Sequence, residues 1–362
     1  MLEKIKKINI LFIFIILLLA VIGSGALYSA AGGSFDPWAK KHIIRFCIFF
    51  ILIFIISLIN LKYLYRYAYI LFVLSLLLLG LVEILGTFGL GAKRWIYLYG
   101  FSIQPSELIK ITLIVVLARY YHDLKHDRIS HISSVIFPII IIIIPFVLIV
   151  LQPDLGTSLM FLLLGVIIMF VAGVRLWKFF SGFAILLISF PFLWNNLESY
   201  QKKRVFSFLN PESDPLGQGY QLIQSKIALG SGGLTGKGFL KGTQSYLEYL
   251  PEKQTDFIFT LIGEEFGFIG TSFIIVLFIF LVLIPYYISF RSNSFFGKIL
   301  SIGISTNMFL YVVSNMSMVV GLMPVVGIPL PLLSYGGTAM LSVMISFGIL
   351  MNVCVHEKIE KF

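Results

Sequence analysis

The sequence predicts an all-α polytopic membrane protein of about ten transmembrane helices, with one large extracytoplasmic loop between helices 7 and 8. Three observations predict it. Of the 362 residues 59% are hydrophobic and only 12% are charged, about half the charged share of a soluble globular domain. Mean hydropathy is +0.98. Apolar runs such as residues 139–144 recur along nearly the whole chain, as they must if stretches of about 20 residues cross a bilayer. Too few polar side chains are present to clothe a soluble surface. That argues against a soluble enzyme, a nucleic-acid binder and a disulfide-stapled domain.

Ten spans follow from the apolar runs, at residues 8–28, 42–59, 64–85, 106–121, 131–151, 156–174, 176–194, 265–289, 300–320 and 334–355. The first resembles a secretory signal, with Lys4, Lys6 and Lys7 before its apolar stretch. Nine further spans favour an uncleaved helix instead. The fourth is the least regular, being short and carrying Glu107 and Lys110. With the amino terminus in the cytosol, fourteen Lys and Arg side chains fall in inside segments, among them Lys62, Arg66, Arg119, Arg175, Arg291 and Lys358. The short outside loops hold five: Lys40, Lys41, Arg45, Lys93 and Arg94. Cytosolic loops carry the basic excess, so both termini are expected in the cytosol. The chain reads as a single membrane domain over 1–362, with the excursion at 195–264 as its one large loop. Cys47 and Cys354 stand at opposite ends in apolar segments, which is neither a disulfide framework nor a metal site. Five histidines without a His/Cys cluster argue against metal chemistry built on those ligands.

The polar residues that need explaining map mostly to the outside. The stretch GSGGLTGKGFLKG at 230–242 suggests a phosphate cradle but lacks the GxxxxGK[ST] spacing; it reads as a flexible connector or a re-entrant turn. Asp256 follows a polar turn and precedes Phe257-Ile258-Phe259. A carboxylate at such an apolar boundary is a general-base candidate, because desolvation raises its pKa; the rival reading is the N-cap of the next helix. Glu107 and Lys110, three apart, share a helix face, either as a self-neutralising pair or as the lining of a polar cavity. Asp154 in a short outside turn is either an N-cap or a site residue. Glu83, deep in an apolar run, faces the bundle interior on this reading. Arg45, Arg94 and Arg204 lie near the outer surface, where outward cations hold phosphate or pyrophosphate or attract lipid headgroups. In 315–339, prolines 324, 329 and 331 with four glycines forbid a continuous helix. Irregular backbone at membrane depth must be buried or line a cavity. Ser334, Tyr335 and Thr338 offer hydroxyls there.

Taken together these residues resemble the SEDS family (shape, elongation, division and sporulation) over essentially the whole chain. The blocks that carry the resemblance are GAKRWI (91–96), QPSELIK (104–110), QPDLGTS (152–158), PEKQTDFIF (251–259) and the 315–339 run. FLKGTQSYLEYLPEKQTDFIF and GIPLPLLSYGG are similar to the branch serving cell elongation rather than the one serving division. Where many relatives carry Gln or Arg, this chain has Lys93, which keeps a polar side chain. The resemblance implies a peptidoglycan glycosyltransferase of the bacterial cytoplasmic membrane, polymerising lipid II at its outer face. It places the family's essential loop aspartate on Asp256, and its outward cavity residues on Arg45, Arg94, Glu107, Lys110, Asp154 and Arg204; Ser334 stands beside them as a substrate-binding candidate. It also implies partners: a class B penicillin-binding protein transpeptidase and other proteins of the elongation complex.

The implied chemistry is coherent. Joining a sugar 4-hydroxyl to an α-linked glycosyl pyrophosphate with a β product is an inversion, so one displacement and one base suffice. The pyrophosphate leaves without a proton but needs cations. Arg94, Lys110 and Arg204 can supply them, or a divalent ion (Mg or Mn) held by Asp154 or Glu107. Two other functions compete: a transporter that flips lipid II, since broken helices and intramembrane charges suit that class, and a non-catalytic wall scaffold.

Overall fold

The computed structural model describes residues 9–356 except 90–91, 99–100, 126–127, 130, 196–197, 215–216 and 244–248. Lys4, Lys6, Lys7 and Lys358, which entered the orientation argument, lie outside the described residues. Among the described residues twelve α-helices form: α1 Ile10–Ala30, α2 Ala39–Leu58, α3 Leu61–Leu85, α4 Pro105–Asp123, α5 Ile132–Leu151, α6 Leu155–Val171, α7 Leu176–Asn195, α8 Ser199–Leu209, α9 Gln218–Ser231, α10 Ile258–Arg291, α11 Phe295–Val320 and α12 Gly337–Val355. Each of the ten expected spans overlaps one of them, and α8 and α9 occupy the excursion between the seventh and the eighth. Among the described residues seven helices are long and apolar enough to cross a membrane, while 155–171 and 176–189 are apolar but shorter.

Local chemistry starts and stops these helices. Asn9 caps α1 by accepting from Phe12 N–H at 3.1 Å, and Ser294 caps α11 through Gly297 N–H at 3.0 Å. Pro105 opens α4 at a position where a missing N–H costs nothing. The longest helix, α10, is broken at Gly267, whose φ of 63° is non-helical. The core sits where α4, α11 and α12 meet, for α11 packs on α4, α6 and α10, and α12 packs on α2 and α4. Lipid-type side chains face outward instead: Leu176, Phe180, Phe183 and Ile188 of α7 are exposed.

One feature was invisible in the sequence. Between α3 and α4 the chain makes a small antiparallel sheet, β1 Thr87–Gly89, β2 Ala92–Leu98 and β3 Phe101–Ile103, in the order β1-β2-β3. It carries Arg94 and delivers the chain to Gln104. Glu83 is exposed rather than facing the interior: it stands off the face of α3 that buries Leu79 and Val82.

The glycine-dense stretch is neither a cradle nor a flexible connector. It inserts into the break in α10. Lys237 and Gly238 donate their N–H groups to the carbonyls of Glu264 and Glu265 at 3.0 and 2.9 Å, and Phe268 and Ile269 donate to the carbonyls of Gly233 and Leu234 at 2.9 and 3.1 Å. Backbone groups released by the broken helix are thus re-paired, as an apolar setting requires. The approach needs glycine: a Cβ on Gly236 would lie 2.1 Å from the Glu265 carbonyl oxygen.

Candidate functional site

The site is built from the turn at Asp256, the start of α4, the start of α6, and the broken segment between α11 and α12. Asp256 does not cap α10; the cap position is Phe257, which makes no side-chain cap bond. Its backbone is pinned instead. Asn315 on α11 donates one Nδ2 to the Asp256 carbonyl at 2.9 Å and to the Ile328 carbonyl at 2.8 Å. Asn315 thereby ties the loop aspartate to the broken segment. The Asp256 side chain is half-buried. Its pKa is pushed up to about 7, chiefly by desolvation and then by the Glu252 carboxylate, with Arg204 opposing and Asp154 adding more weakly. That places a proton acceptor near neutral pH, where a general base works best.

Beneath lies a buried polar knot. Lys110 and Glu107 are 1% and 4% exposed and pair at 2.7 Å. Tyr311 of α11 joins them: Lys110 Nζ donates to its hydroxyl, and that hydroxyl donates to Glu107 Oε2. Ser342 of α12 donates to the same oxygen at 3.1 Å. Removing two charges from water is tolerable because they pair with each other and take further hydrogen bonds from Tyr311 and Ser342. The pair is therefore self-neutralising, and it also ties α4 to α11 and α12 directly under the site.

Asp154 takes the N-cap position. It caps α6, accepting from Thr157 N–H at 3.3 Å, and its other oxygen accepts from Gln104 Nε2 at 3.1 Å. Arg94 approaches it at 3.8 Å while donating to the carbonyls of Gln152, at 3.1 Å, and Pro153. So β2 is fastened to the α5–α6 turn. Arg45 of α2 is half-buried with its guanidinium 5.0 Å from the Tyr335 ring centre. Arg204 of α8 lines a cavity of about 230 Å³ with Lys203, Ser207, Asp214 and Gln218. Ser334 is buried, and its hydroxyl accepts from Leu330 N–H at 2.8 Å, which closes the turn before α12. The Lys93 side chain lies outside the described residues.

Sequence reasoning passed over Gln104, Tyr311, Ser342, Asn315 and Glu252. Gln104 and Glu252 stand inside the motif blocks and were open to notice; Tyr311 and Ser342 are single polar residues in apolar helices with no spacing to mark them. Among the described residues no three of His, Cys, Asp and Glu gather as metal ligands. Both Glu107 oxygens and both Asp154 oxygens accept from protein donors, so a cation there would displace those contacts.

A many-span helical bundle with a buried ion pair among its helices defines a polytopic membrane protein. The FtsW/RodA/SpoVE family model, described as cell cycle protein, matches residues 6–359, and the chain belongs to that family, the SEDS proteins. It is 38% identical over 354 residues to peptidoglycan glycosyltransferase MrdB of Escherichia coli (strain K12), covering 96% of this chain and 93% of that one. Among solved structures it is similar to a chain from a study of how a peptidoglycan synthase complex coordinates polymerization and crosslinking, with a TM-score of 0.85, 27% identity and coverage of 98% and 99% of the two chains. The rod shape determining protein RodA of Thermus thermophilus shares the fold, at TM-score 0.74, 24% identity and coverage of 97% and 98%.

Proposed function

We propose that this chain is a peptidoglycan glycosyltransferase that polymerises lipid II at the outer face of the bacterial cytoplasmic membrane, for elongation of the rod. The family, and a relative bearing that activity's name across nearly its whole length, support the activity. The observation that carries the site is Asp256: a carboxyl near pKa 7 that feels the Arg204 guanidinium, held through its backbone by Asn315. In the proposed step the 4-hydroxyl oxygen of one sugar attacks the anomeric carbon of another. Its proton passes to Asp256, and the bond to the pyrophosphate oxygen breaks with inversion. The half-exposed Arg204 and Arg45 are the cations proposed to meet the departing pyrophosphate, whereas Arg94 is fastened to the α5–α6 turn and Lys110 is committed to Glu107, so that both act by fixing the walls and floor. Donor and acceptor both arrive in the bilayer plane, which suits a site at the mouth of a bundle.

The partners follow from the same reading. A class B penicillin-binding protein is the transpeptidase that this enzyme would accompany, as the synthase complex similar to this chain suggests, and both termini face the cytosol. Asp256→Asn tests the base: glycan polymer formed from purified lipid II should fall at least a hundredfold, with the thermal midpoint in detergent preserved. Full activity in that variant sinks the assignment. Transport of labelled lipid II across proteoliposomes without any polymer would instead favour a flippase.

A further inference from the structure

Two adjacent carboxylates stand outside the chemistry described so far. Glu264 and Glu265, just before the break in α10, are 0% and 2% exposed. Glu264 is answered by Lys237 Nζ at 2.8 Å and Thr243 Oγ1 at 3.1 Å. Glu265 is answered on one side only. Its Oε1 accepts from the Ser29 hydroxyl and from Leu240 N–H at 3.2 Å, while its Oε2 is buried with no hydrogen-bond partner. A buried acceptor left in that state is costly, and more so when it carries charge.

The unpartnered oxygen belongs to a side chain that lines a cavity of about 310 Å³, walled also by Ser29, Trp38, Leu240, Gly242 and Lys253. The volume is at the lower end of small-molecule sites. Lys253 is itself 9% exposed, so a carboxylate and an ammonium share one small enclosure. A simple cation would meet Lys253, and a simple anion would meet Glu265. A group carrying both charges meets neither penalty: its N–H donors reach Glu265 Oε2 and its anion faces Lys253, with the Trp38 indole beside the connecting atoms. Lys253 is also three residues from Asp256, a stretch of chain that spans at most about 11 Å. What occupies this cavity therefore lies close to the proposed base.

We propose that the cavity is a subsite for a zwitterionic group, a primary ammonium set beside an anion, with Glu265 as the ammonium acceptor. The proposal rests on the glycosyltransferase reading. Two molecules at the membrane surface have this chemistry: the peptide carried on the lipid-linked disaccharide, and the headgroup of an aminophospholipid.

The experiment uses the full-length protein in nanodiscs of phosphatidylcholine or phosphatidylethanolamine, with lipid II either native or acetylated at its peptide amine. If the peptide occupies the subsite, acetylation raises KM tenfold or more in wild type, and Glu265→Gln raises KM for native lipid II equally but adds nothing for the acetylated form. If the aminophospholipid occupies it, acetylation changes nothing, phosphatidylethanolamine lowers KM in wild type, and Glu265→Gln abolishes that lipid dependence. Wild-type KM indifferent to both the amine and the lipid overturns the subsite whatever the variant does. So does a variant that loses activity equally under all four conditions. Absence of polymer from wild type in every condition would overturn the glycosyltransferase reading instead. Binding of native and acetylated lipid II to Asp256→Asn reports on the subsite independently of turnover.

Discussion

At the residue scale the molecule turns on how few charges it buries and how each is answered. Asp256 moves from an ordinary value of 3.8 to about 7, first through desolvation and then through Glu252. Polymerisation should accordingly rise with pH through a midpoint near 7, as the base loses its proton. Glu252→Gln removes a like charge and should move that midpoint down; Arg204→Gln removes an opposing charge and should move it up. A pH–rate profile reads both, and unmoved midpoints would contradict the electrostatic account. Stability runs the opposite way. Between pH about 4 and about 7 the folded chain holds a proton on Asp256 that the unfolded chain has lost, so this group's favourable contribution is complete at low pH and disappears as pH climbs toward 7. Tyr311→Phe tests the buried knot. It strips one acceptor from Lys110 and one donor from Glu107, a loss of about 1–3 kcal/mol, visible as a lower thermal midpoint together with reduced polymerisation.

At the element scale the decisive piece is α10 and the segment wedged into it. Gly236 has φ of 82° and no room for a Cβ, so Gly236→Ala combines backbone strain of about 1–3 kcal/mol with a collision against the Glu265 carbonyl. It should lower the unfolding midpoint markedly. Gly230→Ala on α9, where a Cβ meets nothing within 4 Å, should be neutral or slightly stabilising by up to about 1 kcal/mol. Equal effects of the two would refute the insertion. The contrast also explains what sequence reading could and could not see. Long apolar runs announce helices because burial in lipid needs nothing else, and all ten were legible. Asp256 and the Glu107/Lys110 pair were legible because charge is scarce in such a chain. The wedge was not, because it acts through main-chain groups that leave no side-chain pattern beyond glycine itself. The strands around Arg94 were hidden for a related reason: three to seven residues without alternation carry no period to read.

At the scale of the whole molecule, the basic excess of the inside segments predicts an orientation as well as a fold. With Cys47 and Cys354 replaced by serine, a cysteine at Lys202 should react with a membrane-impermeant thiol reagent in intact spheroplasts. A cysteine at Lys298, in the first turn of α11, should react only after permeabilisation. The reverse pattern would invert the topology and remove Asp256 from the face where lipid-linked donor and acceptor meet.

The four hydrogen bonds across the break in α10 also change what the large loop is. In effect α10 is spliced: its main chain is interrupted, and a distant stretch of the same polypeptide bridges the gap. Excising residues 233–238 would therefore not shorten a dispensable connector. It would leave carbonyls and N–H groups bare at the edge of the bilayer, each at a cost of several kcal/mol, and the span that follows would lose its footing together with the loop.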